Sequence, residues 1–74
     1  MMEPYRILLM LRYANALDEY RALSIKEIAG YLKLDYNIVK KVVERLYGEG
    51  MIFFDGERVW LSPKGFLSAL KSYS

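Results

Sequence analysis

A change of hydrophobic period between residues 39 and 61 constrains this chain more than any other feature. Val39, Val42, Val43 and Leu46 recur at i, i+3, i+4 and i+7, which lines one side of a helix with apolar groups. Just beyond them, Met51–Phe54 and Glu57–Leu61 are two β-prone runs that flank Asp55-Gly56. Asp-Gly in that setting is a strong hairpin signal, because a type I′ turn needs positive φ at both central positions. The spacing predicts a helix that stops at Gly48 and Gly50, one of them left-handed, followed by a two-residue hairpin. In that register Ile52 opposes Val59, Phe54 opposes Glu57, Phe53 opposes Arg58 and Met51 opposes Trp60. Ile52, Val59 and Leu61 are expected to face the core, while Met51, Phe53 and Trp60 form an apolar outer face. A partner or a terminal helix covers such a face more often than water does.

The flanking segments read as helices. A first helix is expected from about Pro4 to Asp18, with proline at its first turn. Ile7, Met10, Leu11, Ala14 and Leu17 share one side, and Tyr5, Leu8, Leu9 and Ala16, with Tyr13 beside them, form a second strip. A helix apolar on two sides must be covered twice. The rest of the domain supplies one cover; the other is the C-terminal helix or a second subunit. Asp18 to Leu23 is a connector, in which Arg21–Leu23 has the means to add a short third strand to the hairpin. Ser24 and Glu27 make a capping box for a second helix, whose Ile25, Ile28 and Leu32 point inward. Lys33 and Leu34 form a turn, and Asp35 is placed to cap the third helix. Three valines are modest helix formers, so packing rather than propensity must hold that helix. Ser62 caps and Pro63 opens a last helix, with Phe66, Ala69, Leu70 and Tyr73 on one face. No repeat or flexible linker divides residues 1–74, and they are expected to form one small domain.

Composition removes several function classes. The chain has no cysteine and no histidine, which excludes disulfides, thiolate chemistry, the usual zinc sites and histidine acid–base catalysis. Its carboxylates are scattered, and no phosphate-cradling glycine loop or nucleophile–base pair is present. A non-enzymatic protein without a cofactor is therefore expected. The N-terminal apolar run is too short for a membrane span and carries Glu3, Arg6 and Arg12, so a cytoplasmic protein is expected. Seven tyrosines help to lift the apolar fraction to 54%, which fits either an aromatic core or a subunit interface. Gln and Thr are absent and only two Asn occur, a thermophile-like depletion of labile residues. Net charge is only +2, so attraction to a polyanion must come from local placement.

That placement exists on the third helix. Opposite its valines lie Asn37, Lys41 and Glu44, with Lys40 and Arg45 flanking and Tyr36 at the N-terminal end. Lysine and arginine find phosphates or guanine edges, asparagine pairs with adenine, and glutamate accepts from cytosine N4. A charged outer face is also what any surface helix presents, so position alone leaves both readings open. Lys26 at the start of the second helix is a phosphate contact or a solvated lysine. Arg58 is the one base near a hairpin tip that also holds Asp55 and Glu57.

Together these elements have the layout of a winged helix-turn-helix, mainly α with a small β-hairpin wing (α+β), in the order α1-(β1)-α2-α3-β2-β3-α4. Leu23 to Gly65 resembles the winged-helix core of MarR- and PadR-like transcription regulators and of small archaeal relatives. The resemblance runs through LSIKEIAGYLKL, then Leu46, Gly50, Met51 and Ile52, then Asp55, Arg58, Leu61, Ser62, Lys64 and Gly65, with one extra residue between the acid and the arginine. It implies a sequence-specific regulator that binds double-stranded DNA, of archaeal or archaeal-virus type. The extra helices that build MarR-like dimers have no counterpart in this pattern. A homodimer is instead expected through Tyr5, Leu8, Leu9, Tyr13, Phe66, Leu70 and Tyr73 of the first and last helices. The competing reading is a winged helix used for protein–protein contact, favoured by the near-neutral charge and the apolar outer hairpin face.

Overall fold

The capping box predicted at Ser24 is formed: Ser24 Oγ accepts from the Glu27 amide, and the Glu27 carboxylate accepts from the Ser24 amide. In the computed structural model, which describes residues 3–71, that box starts the second of four helices. The elements run α1 (Glu3–Tyr13), β1 (Leu23–Ser24), α2 (Ile25–Leu32), α3 (Tyr36–Gly48), β2 (Ile52–Phe54), β3 (Arg58–Leu61) and α4 (Pro63–Lys71). The three strands form one antiparallel sheet in the order β1-β3-β2. This is the winged helix-turn-helix layout. Its third strand sits at Leu23–Ser24, one residue later than the sequence suggests.

One core joins all the helices to the sheet. Val39, Val43 and Leu46 of α3 are buried as the stripe predicts, with Val42 partly buried beside them. They meet Ile25 and Ile28 of α2, Ile7 and Leu11 of α1, Ile52, Val59 and Leu61 of the sheet, and Ala69 of α4. Asp35 takes the N-cap position of α3, but its side chain makes no cap hydrogen bond; only its carbonyl accepts, from the Val39 amide.

Three further expectations are corrected. The first helix ends at Tyr13 rather than Asp18 because Asn15 turns left-handed, at φ 56°. The Ala16 amide then reaches the Leu11 carbonyl and the Asn15 amide reaches that of Arg12, a Schellman closure. Leu11 and Ala16 are both fully buried across it, which supplies the apolar contact such a stop uses. Helix α1 turns Ile7 and Leu11 of one strip and Leu8 of the other inward, while Ala14 and Leu17, grouped with the first strip, are exposed beyond the helix end.

The hairpin register differs by two residues. Ile52 pairs with Leu61, Phe53 with Trp60 and Phe54 with Val59. The cause is the Asp55 side chain. Its Oδ1 accepts from the Glu57 amide at 3.0 Å and the Arg58 amide at 2.7 Å, so Asp55 stands before the turn rather than in it. Gly56, at φ 103°, becomes the first central residue, where a primed turn wants glycine. A shift of two keeps every side chain on its own face. Ile52, Val59 and Leu61 are buried as expected, and Phe53 and Trp60 remain outside with their rings 5.8 Å apart.

Met51, the third correction, leaves the outer face. It falls before β2 and packs against the core, its sulfur accepting from Ser68 Oγ.

Candidate nucleic-acid interface

Helix α3 is held by its valine side, so its other side must meet water. Val39, Val43 and Leu46 are buried, and Asn37, Lys40, Lys41, Glu44 and Arg45 are all exposed. Tyr36 is exposed at the N-terminal end of the same helix, as expected. The helix is oriented at both ends. At the entry, Lys33 is left-handed at φ 56° and the Leu34 amide reaches back to the Ala29 carbonyl, which turns the chain sharply from α2 into α3. At the exit, Gly50 is left-handed and Lys64 Nζ donates to the Glu49 carbonyl at 2.9 Å, placing a cation where helix carbonyls are unpaired.

Most of the predicted contact residues come together on this face. Arg45 is also 3.5 Å from the Glu49 carboxylate one turn on, an exposed pair that salt screens readily. Lys26 is exposed in the first turn of α2. The arrangement offers three bases, an amide and a carboxylate on one helix, which suits phosphates and base edges. Sequence reasoning missed Ile38. It lies off the valine stripe and is exposed beside Lys41 and Arg45, as an apolar group suited to a thymine methyl. Its position one step round the helix from Val39 was the available signal.

The wing arginine Arg58, an expected DNA contact, is exposed and also bonds within the domain. Arg58 Nε lies 3.3 Å from Asp55 Oδ2, and its Nη1 donates to the Glu19 carbonyl at 3.3 Å. The guanidinium thus fastens the hairpin tip to the 18–22 loop. That loop is itself pinned by Asp18 Oδ1, which accepts from the amides of Tyr20 and Arg21. The Arg58 and Glu57 amides hold the Asp55 carboxyl below its ordinary value of 3.8. The sign follows: a depressed carboxylate supports the turn above the ordinary value, and that support is lost as pH falls through the lower folded value. An NMR titration should give Asp55 a midpoint below 3.8, with the Glu57 and Arg58 amide shifts following it. A midpoint at or above 3.8 would contradict the turn geometry.

The expected dimer residues take different places among the described residues. Leu8 is 5% exposed and belongs to the core, so it is corrected from an interface residue to a packing one. Leu9 and Tyr13 line a groove with Arg6, Met10, Leu23 and Tyr31 between α1 and α2. Tyr5 stands at the other end of α1, near Pro4 and Met51. Phe66 is half-buried and Leu70 more open. Tyr73 lies outside the described residues. No described helix is long and apolar enough to cross a membrane.

No family model and no curated protein matches this chain. The fold is nevertheless similar to a solved one from Ralstonia eutropha JMP134, described as a "putative dna-binding protein". The two share 22% identity at a TM-score of 0.81, over 100% of this chain and 98% of the other. At that identity the likeness establishes the fold.

Proposed function

We propose that this protein is a sequence-specific DNA-binding regulator that inserts α3 into the major groove. The observation that carries the proposal is the division of α3 between a side whose Val39, Val43 and Leu46 are buried and an exposed side bearing Asn37, Lys40, Lys41, Glu44 and Arg45. Burial of the first leaves the second no intramolecular use as a packing surface. The description of the Ralstonia protein as DNA-binding supports the same reading. Asn37, Glu44 and Ile38 read bases, Lys40, Lys41 and Arg45 hold phosphates or guanine, and Tyr36 and Lys26 reach the adjacent backbone. Arg58 adds little, because Asp55 and Glu19 engage it. The proposal includes a cytoplasmic, non-enzymatic role and membership of the MarR- and PadR-like group, with an archaeal source.

Fluorescence anisotropy at several salt concentrations tests this reading. A duplex selected from random sequence should bind the wild type. Lys40→Ala/Lys41→Ala should reduce the slope of log affinity against log salt by about 2, one for each phosphate that a lysine no longer neutralises. Equal slopes for the two proteins would remove α3 from the interface. Undetectable binding by both at low salt would discard the reading, and would favour a protein-contact module. The exposed Phe53 ring is the observation on that side.

A further inference from the structure

Gly48 occupies a place in α3 that nothing inside the domain explains. Glycine weakens a helix relative to alanine, and it is kept where the backbone turns left-handed or a neighbour comes too close for a side chain. Neither condition holds here. The glycines with positive φ are Gly50 and Gly56, so Gly48 has a helical backbone that any residue adopts. A Cβ on it would meet no neighbouring side chain or element within 4 Å. Gly48 is exposed, and it falls in line with Asn37, Lys41 and Glu44 at i, i+4, i+7 and i+11. That line runs along the middle of the face opposite the valines.

Two donors are held at the same turn, each by a different element. The Tyr47 ring is braced edge-on by Phe54 of β2, with centroids 6.2 Å apart, and is still 53% exposed. Lys64 of α4 is exposed, and its Nζ donates to the Glu49 carbonyl at 2.9 Å. An ammonium has three N–H groups, so that bond leaves others to give. Its charge also answers the electrostatics of a helix end. The carbonyl end of a helix is partly negative and repels phosphate, and a cation seated on it offsets that repulsion. The carboxylate at this end, Glu49, lies 3.5 Å from Arg45.

We propose that the last turn of α3 docks a phosphate strand of DNA. Gly48 lets the sugar–phosphate backbone approach the bare helix, and Lys64 and Tyr47 hold its phosphates. This contact rests on the DNA-binding reading above and extends it to the end of α3 opposite Asn37. The line from Asn37 to Gly48 is roughly 16 Å long at the helical rise, against a major groove about 12 Å wide. A helix that reads bases with its first turns and crosses the groove obliquely therefore ends on a backbone strand. Gly30 of α2 also has open space around it, but the Glu27 carboxylate lines the same surface, and phosphate avoids it. Gly48 differs by the two donors held at its turn.

Fluorescence anisotropy with the selected duplex, read beside thermal melts, separates this contact from a structural role. Gly48→Ala should melt about 2–6 °C higher than the wild type yet bind about threefold to tenfold more weakly. Gly48→Leu should lose about tenfold or more in affinity with no loss of stability. Gly30→Ala should gain stability at unchanged affinity. Greater stability with weaker binding at one position is an outcome that internal packing does not produce. Lys64→Met should lower the slope of log affinity against log salt by about 1. Tyr47→Phe should weaken binding about threefold at an unchanged slope, since a neutral hydrogen bond releases no counterion. Wild-type affinity in Gly48→Leu, equal losses at Gly48 and Gly30, or an unchanged salt slope in Lys64→Met overturns the proposal and leaves the DNA-binding reading standing. A wild type that binds no duplex removes both.

Discussion

Gly65→Ala is expected to lower the melting temperature by about 10–20 °C, or to prevent folding, an effect of about 3 kcal/mol on the overpacking scale. Gly65 is buried in the first turn of α4, where the helix crosses the chain between α3 and β2. A Cβ there would lie 2.8 Å from the Met51 carbonyl carbon and closer still to its oxygen. Neither can withdraw easily, since the Met51 carbonyl accepts from the Ser62 amide at 3.2 Å. The obstacle is backbone, not the end of a flexible side chain, so the helix must lift from the core. Gly30→Ala is the matched control. No atom lies within 4 Å of a Cβ at that position in α2, and alanine should raise stability by up to about 1 kcal/mol. Thermal melts of the two variants decide the matter. A Gly65→Ala protein that melts within two or three degrees of the parent would refute the close crossing of α4 over Met51.

Ser62→Ala should cost about 2–3 kcal/mol, because it leaves two backbone groups without their partner. Ser62 is 5% exposed. Its hydroxyl donates to the Gly50 carbonyl at 2.5 Å and accepts from the buried Gly65 amide at 3.1 Å. The serine is therefore more than a helix cap. It joins the exit of α3 to the start of α4, and Lys64 repeats the link one carbonyl away at Glu49. Urea unfolding should show a lower midpoint with an unchanged slope, since the surface exposed on unfolding is the same. A midpoint equal to that of the wild type would mean that water replaces the hydroxyl at no cost.

How far the sequence carries depends on the range of the forces involved. The capping box at Ser24, the valine stripe of α3 and the inward face of the hairpin were all legible, because each follows from neighbours within four residues or from a period of two. The end of α1 was not read, although asparagine favours a left-handed helix stop; the helical spacing of Ala14 and Leu17 beyond Asn15 masked that signal, and burial of Ala16 against the core decided the stop. The wing register was misread for a related reason. Asp55 and Gly56 do lie at the hairpin tip, but the carboxylate captures two amides and moves the turn one residue on. Of the expected contact residues, the α3 set reached a common exposed face, whereas Leu8 went to the core and Arg58 to an internal tie.

The amino-acid order by itself settled which segments are helical, which are extended and which side of each is greasy, because those properties are periodic and short-ranged. Tertiary packing alone decided which of two apolar sides of α1 and α4 turned inward. A helix coated on both sides has no internal preference between them, and the choice falls to whichever side fits the sheet and α3. Among the faces left uncovered after that choice is the solvent side of α3, where the proposed DNA contact lies.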